Sequence, residues 1–174
     1  MTPFPSEMES DRLRYERLHP DEFDLFELYE HVRTDAPEID AVTEYVTWDP
    51  HEHPQATAEW IERCGESFEN GDGATYVLRP RTGSREGELA GLTGIDVDWD
   101  HKRAAFGTWL RTPFWGMGYS GERAARLFEL AFERLDIEIV AVEHVTGNDR
   151  SRRAIRKYVD RSAAAGRAGS ATTS

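Results

Sequence analysis

RTPFWGMGYS, residues 111–120, is the stretch on which the reading of this chain turns. An apolar segment over 104–110 predicts a strand running into it, and a long amphipathic helix runs out. A turn between a strand and a helix can point several backbone N–H groups at one place. With the positive end of the helix, those groups make a site for an anion such as a pyrophosphate. Gly116 and Gly118 let the backbone approach closely and take conformations that other residues resist. A lone Gly-x-Gly is weak evidence. The strand before it, the helix after it and a second signal about thirty residues later give it weight.

On the C-terminal side, Ala124, Leu127, Phe128, Ala131 and Leu135 share one face at a period of about 3.6. A strand is predicted over 138–145 and a helix over 151–159. On the N-terminal side, residues 1–10 read as a loose, Pro-containing lead-in. Residues 12–18 alternate charged and apolar side chains, which suits a half-buried strand. Asp21 is a candidate N-cap for a helix carrying Phe23, Leu25, Phe26, Leu28, Tyr29 and Val32. Residues 35–50 look irregular, with short apolar pieces at 39–42 and 45–48. A second helix is predicted over 54–68, with Ala58, Ile61 and Phe68 inward. Strands are then predicted over 74–79, 88–97 and 102–110, the first two joined by a hairpin turn at 81–86. That order describes one mixed α/β domain over 11–160. The tail 161–174, RSAAAGRAGSATTS, is poor in large apolar residues and is expected to be disordered.

Composition narrows the function classes. The 174 residues suit one domain with a buried core. No apolar run approaches the roughly 20 residues that cross a bilayer, and the N-terminus has no basic region followed by an apolar core. A cytoplasmic location is therefore expected. A net charge of −12, from 33 acidic and 21 basic residues, argues against nucleic-acid binding through a basic surface. Lys102 and Lys157 are the only lysines. An acidic, lysine-poor surface is also what a halophilic protein carries, because charge repulsion is screened over about 3 Å at 1 M salt. Cys64, the single cysteine, excludes an intrachain disulfide and a Cys-based zinc site, and reads as a buried structural thiol. His51-Glu52-His53 offers too few ligands for a metal, and no metal site is expected. His51, His53 and His101 read as surface residues.

Three groups of residues together resemble a known family. They are Gly107-Thr108-Trp109-Leu110, then Pro113 to Ser120 with Glu122-Arg123-Ala124, then Asn148-Asp149-Arg150-Ser151. They are similar to the acetyl-CoA-binding core of the GNAT N-acetyltransferases, and most of all to the Rim-type branch that acetylates ribosomal-protein N-termini. Asp11-Arg12-Leu13-Arg14-Tyr15 resembles that branch's first strand. The likeness spans roughly residues 10–160. One departure is Pro113, where the wider family often has Gln or Arg; Rim-type members tolerate this.

The resemblance implies an acyl-CoA N-acyltransferase fold, with a mostly antiparallel sheet flanked by helices. It implies that backbone amides of Trp115, Gly116, Met117, Gly118, Tyr119 and Ser120 bind the pyrophosphate of acetyl-CoA. It implies that Trp109 and Leu110 end a strand whose free backbone lines the acetyl-pantetheine arm; both side chains could equally be core. Asn148 would bond the same arm, or cap the last helix. Ser151 would donate a proton to the departing CoA sulfur. Arg152 or Arg153 could pair with a CoA phosphate.

The implied reaction is direct attack of a neutral amine on a thioester. An α-amine, with a pKa of about 8, needs less help than a lysine amine at about 10.4. Glu143, His144, Asp96 and Asp98 are candidates for taking the proton. Glu122 sits in the first turn of a helix, where the dipole favours a carboxylate. Relatives usually continue past the last helix into a closing strand. Here that strand looks missing or replaced, which would leave an open sheet edge, a route to a homodimer. The implied acceptor is a protein or peptide N-terminal amine. A small-molecule amine, or a catalytically impaired CoA-binding module, is the alternative.

Overall fold

The computed structural model describes residues 1–44, 46, 48–142 and 170–173. Seven strands form one sheet in chain order: β1 (Glu7–Glu9), β2 (Leu13–Arg17), β3 (Gly73–Pro80), β4 (Gly91–Asp98), β5 (Arg103–Leu110), β6 (Ile139–Val142) and β7 (Ser170–Thr173). Pairing is antiparallel from β1 to β5 and parallel from β5 to β7. The helices are α1 (Leu25–Val32), α2 (Ile39–Thr43), α3 (Pro54–Asn70) and α4 (Tyr119–Glu129), the last continuing into a π-helical turn, Leu130–Arg134. This is the mixed, mostly antiparallel α/β architecture that the sequence predicts.

The sheet is covered on both faces, so its central strands lose the simple in–out alternation. β3 is buried at six of its eight positions. Tyr76 and Leu78 of β3, with Ile95 and Phe106, pack with α4 through Ala124, Leu127 and Phe128. Val77, Leu92 and Trp109 face the other way, into a cluster with Leu28 and Val32 of α1, Val42 of α2, and Ile61 and Cys64 of α3. The period-3.6 face read from the sequence is buried throughout, from Ala124 to Leu135. Cys64 is buried and free, as expected. Across the layers, Arg79 of β3 binds Glu16 of β2 and Glu27 of α1.

Several expectations need correcting. The lead-in is not loose: β1 pairs with β2, and Phe4 and Met8 are each 4% exposed. Two apolar anchors spaced among Pro, Ser and Glu give no periodic signal, yet the open edge of β2 needs only backbone partners. The first helix is capped by Asp24, not Asp21; the Asp24 carboxylate accepts from Phe26 N at 3.0 Å. Asp21 lies in a turn in which Glu22 N and Phe23 N bond His19 O. Residues 39–43, read as irregular, form α2. In α3 the inward set is Thr57, Ile61, Cys64, Gly65 and Phe68, with Ala58 only half-buried.

At the C-terminal end, Ser170–Thr173 of the tail expected to be disordered pairs with β6 as β7. A ladder is made of backbone groups, so a short polar segment can serve, and Thr is at home in strands. The β6 edge is thus paired within the chain, and a homodimer through an open edge there has no support. The predicted helix over 151–159 lies outside the described residues.

One core residue breaks the apolar rule. Arg123 of α4 is 2% exposed, and its Nε and Nη1 have no hydrogen-bond partner among the described residues. Burial pulls its pKa down to about 10, opposed by the neighbouring Tyr15. A buried charge without a partner destabilises, and an apolar side chain of similar volume removes that desolvation cost. Met matches Arg in helix propensity. Arg123→Met is therefore expected to raise the melting temperature; a lower value in a thermal melt would show that the guanidinium has a stabilising partner.

Candidate functional site

Residues 111–120 leave the sheet at the end of β5. Arg111 N bonds Ala90 O, and a single 3-10 turn, Thr112–Phe114, follows. Phe114 is buried beneath it, and the Trp115 indole donates back to Leu110 O at 2.8 Å. Gly116 has φ 77° and Gly118 φ 81°, the left-handed region in which a Cβ is strained. Both are exposed, together with Met117 between them.

Gly118 is the N-cap of α4 and contributes no side-chain cap. The first bond into the helix is Glu122 N to Gly118 O, at 3.1 Å. The first-turn N–H groups therefore lack intrahelical partners, at the positive end of the dipole.

Arg12 holds this turn in shape. Its Nη1 donates to Met117 O at 2.7 Å and its Nε to Glu122 at 2.7 Å. Its guanidinium also lies over the Tyr119 ring, 4.8 Å from the centroid. The bond to Met117 O engages a carbonyl that would otherwise repel an anion. Glu122 is engaged as well, by Ser10 Oγ and by Arg12 N. Burial alone would raise its pKa; the bonds from Ser10 and Arg12 outweigh that and hold it below the ordinary value. Glu122 thus has the structural role its place in the helix suggests. The turn offers bare N–H groups and no free carboxylate, which fits a phosphate group. The bracing role of Arg12 was not legible, because it depends on β2 lying beside the start of α4.

Beside this turn, the described residues of β6 pair with β5 from Arg103↔Ile139 to Phe106↔Val142. Among the described residues, no β6 partner continues along Gly107, Thr108, Trp109 and Leu110. Trp109 is 5% exposed and packs edge-on against Trp48, with ring centroids 5.7 Å apart. It is core by its side chain; residues 143–169, which follow β6, lie outside the described residues.

A cavity of about 340 Å³ opens where β5 ends, between α1 and α2. Trp109, Arg111 and Thr112 line it from the sheet side, and His31 and Arg33 from the end of α1. His31 is half-buried, and its ring nitrogens have no hydrogen bond to a described residue. Burial lowers its pKa, and the Arg111 charge lowers it further; Glu30, Glu27 and Glu88 oppose the shift. It is a neutral imidazole at pH 7, able to accept a proton. A histidine on an amphipathic helix looks like any solvated one, so the sequence did not single it out.

Of the groups proposed for proton transfer, Asp96 and Asp98 are not in this cavity. Asp96 and Asp98 pair with Ala105 and Arg103, whereas the turn begins after Leu110, opposite Gly91. That is roughly 20 Å along the strand. Asp98 is exposed and bound to His101 at 2.8 Å. Glu143, His144, Asn148, Ser151, Arg152 and Arg153 lie outside the described residues. His53 caps α3, and His101 is exposed, as expected. His51 is not a surface residue: its Nδ1 is 2.7 Å from Thr57 Oγ1, and burial lowers its pKa. Among the described residues no group of His, Cys, Asp and Glu could hold a metal, and no helix is long and apolar enough to cross a membrane.

A family model described as "Acetyltransferase (GNAT) domain" matches residues 12–158. No curated protein matches the chain. Solved structures do. A T. thermophilus protein classed as an acetyltransferase is 25% identical, with TM-score 0.66, over 90% of this chain and 76% of the other. The microcin C7 self-immunity acetyltransferase MccE, solved with acetyl-CoA and AMP, is 16% identical, with TM-score 0.74, over 90% and 83%. The Salmonella typhimurium enzyme that modifies the N-terminal serine of ribosomal protein L7/L12 is 16% identical, with TM-score 0.69, over 86% and 80%. The likeness to these last two is one of fold.

Proposed function

The chain belongs to the GNAT acetyltransferase family, and from that membership we propose that it transfers an acetyl group from acetyl-CoA to a primary amine. The observation that carries this reading is the turn at 116–118. It has two left-handed glycines, an uncapped α4 N-terminus and Arg12 holding the Met117 carbonyl between the glycines. Backbone N–H groups of residues 116–120 take the pyrophosphate, the Trp115 N–H expected to join them being held by Thr112 O at 3.1 Å, and the end of β5 at Trp109 and Leu110 takes the pantetheine arm. When bound, acetyl-CoA supplies a thioester carbonyl that a neutral amine attacks directly.

The acceptor enters the cavity between α1 and α2. His31, neutral at pH 7, accepts the proton as the amine attacks. Asn148 and Ser151 keep the roles that the family resemblance implies, and Glu143 and His144 are the alternative proton acceptors to His31. The acceptor is a peptide or protein N-terminal amine, in keeping with the Rim-type pattern at 113–124. An amine with a pKa of about 8 is partly neutral near physiological pH, so a weak base suffices.

Release of free CoA from acetyl-CoA is the test, with N-terminal peptides and small amines as acceptors. Turnover with peptides whose α-amine is free, and none when it is blocked, is expected. Equal rates with both would reject the N-terminal acceptor, and binding of acetyl-CoA without turnover on any amine would reject the transferase reading.

A further inference from the structure

The cavity between α1, α2 and the end of β5 is walled by donors, three of which make no hydrogen bond among the described residues. Trp109 Nε1, Thr112 Oγ1 and Arg33 Nε lack hydrogen-bond partners among the described residues, and all three residues line the cavity. Buried polar atoms are rarely left unpaired, and three around one cavity is unusual. Arg33 Nε lies 3.4 Å from the exposed Asp35 without hydrogen-bond geometry. Arg111 adds a second guanidinium to the same wall, with Nη1 on Leu89 O at 2.9 Å. Indole and guanidinium can only donate, and a hydroxyl can do so. In a chain of net charge −12, this wall runs against the overall sign.

We propose that the acceptor carries a carboxylate or other oxyanion close to its amine, and that this group seats against Arg33, Arg111, Trp109 Nε1 and Thr112 Oγ1. The proposal rests on the reading that this cavity receives the acceptor. The rim supports it from the other side: Glu30 and Glu38 are exposed carboxylates lining the same cavity, and they favour the ammonium of the same molecule. The three unpaired donor atoms are sealed from bulk water, so the wall must part slightly to pair them. The side that can give is α2, five residues long and entered through Glu38 at φ 66°. A non-glycine residue in that region stores strain, of the kind found at ligand clamps.

The test measures CoA release by the full chain with peptides that differ in their first residue: Asp, Asn, phosphoserine, Ser and Lys. The Asp-first peptide is expected to exceed the Asn-first one in kcat/KM by roughly tenfold or more. If phosphoserine leads instead, the oxyanion is a phosphate. Equal rates for Asp and Asn, or a preference for Lys, would overturn the proposal.

Thr112→Val and Trp109→Phe should each collapse the Asp-to-Asn ratio toward one. Thr112→Val deletes an unpaired buried hydroxyl, so its melting temperature should hold or rise. A ratio untouched in both variants would also sink the idea. Calorimetric titration of the CoA-loaded protein with the Asp-first and Asn-first peptides reads the seat without turnover. If acetyl-CoA binds but no amine releases CoA, the transferase reading fails, and this titration still decides the seat: tighter binding of Asp supports it, equal binding refutes it.

Discussion

Gly118→Asp is expected to weaken acetyl-CoA binding by about a hundredfold or more while leaving the protein folded. Two physical effects combine. The new carboxylate would sit at the N-cap of α4 and take up first-turn N–H groups proposed to hold the pyrophosphate. It would also repel the phosphates directly. Loss of two hydrogen bonds to a charged group, at about 1.5–3 kcal/mol each, gives that factor or a larger one.

The fold should survive the change. A left-handed non-glycine residue costs about 1–2 kcal/mol, and Asp in place of Gly at an N-cap returns only about a few tenths of a kcal/mol, a net cost that a folded domain absorbs. A Cβ at Gly118 would meet only Arg12 Nη2, at 3.2 Å, the far end of a flexible side chain, and a carboxylate there gains a cation beside it. Gly118→Ala separates the effects, since it keeps the backbone cost and adds no charge. Calorimetry with acetyl-CoA reads both variants. Parental affinity in Gly118→Asp would mean that the pyrophosphate lies elsewhere.

The second large effect is kinetic. His31→Ala is expected to lower kcat by about a hundredfold, the usual scale for removing a general base. The pH dependence makes the test specific. Burial first, and Arg111 second, lower the imidazole pKa below its ordinary 6.5. The base form is present above that lowered value and lost below it. The acidic limb of the rate profile should therefore lie under pH 6.5 and disappear in His31→Ala, leaving the rise due to the amine at about 8.

The same shift bears on stability. As pH falls from 6.5 toward the lowered pKa, unfolded His31 binds a proton that the folded state resists, so stability declines with it. His51, also lowered by burial, adds in the same direction. An unchanged kcat and an unmoved acidic limb in His31→Ala would remove His31 from the chemistry.

The parts of the fold that were legible are those written in local pattern. The face from Ala124 to Leu135 repeats every helical turn, and its burial follows from that period. The central strands show as apolar runs bounded by turn residues. The elements that were missed carry no such local mark. β1 depends on Phe4 and Met8 finding a distant core, and β7 on backbone pairing that is indifferent to side-chain hydropathy. Asp21 and Asp24 are equally good caps by residue type; the turn anchored on His19 O decided between them.

The strand, glycine turn and helix around residues 111–120 were determined by the sequence alone, because turn chemistry and helix periodicity act between near neighbours. So was the choice of family, since it rests on motif residues and their spacing. Only the tertiary structure decided what surrounds the turn. Arg12 reaches Met117 O and Glu122 across more than a hundred residues of chain. His31, Arg33, Trp109 and Thr112 meet at one cavity only because α1 packs beside the end of β5. Charge, burial and unpaired donors depend on distances in space, which residue order does not state.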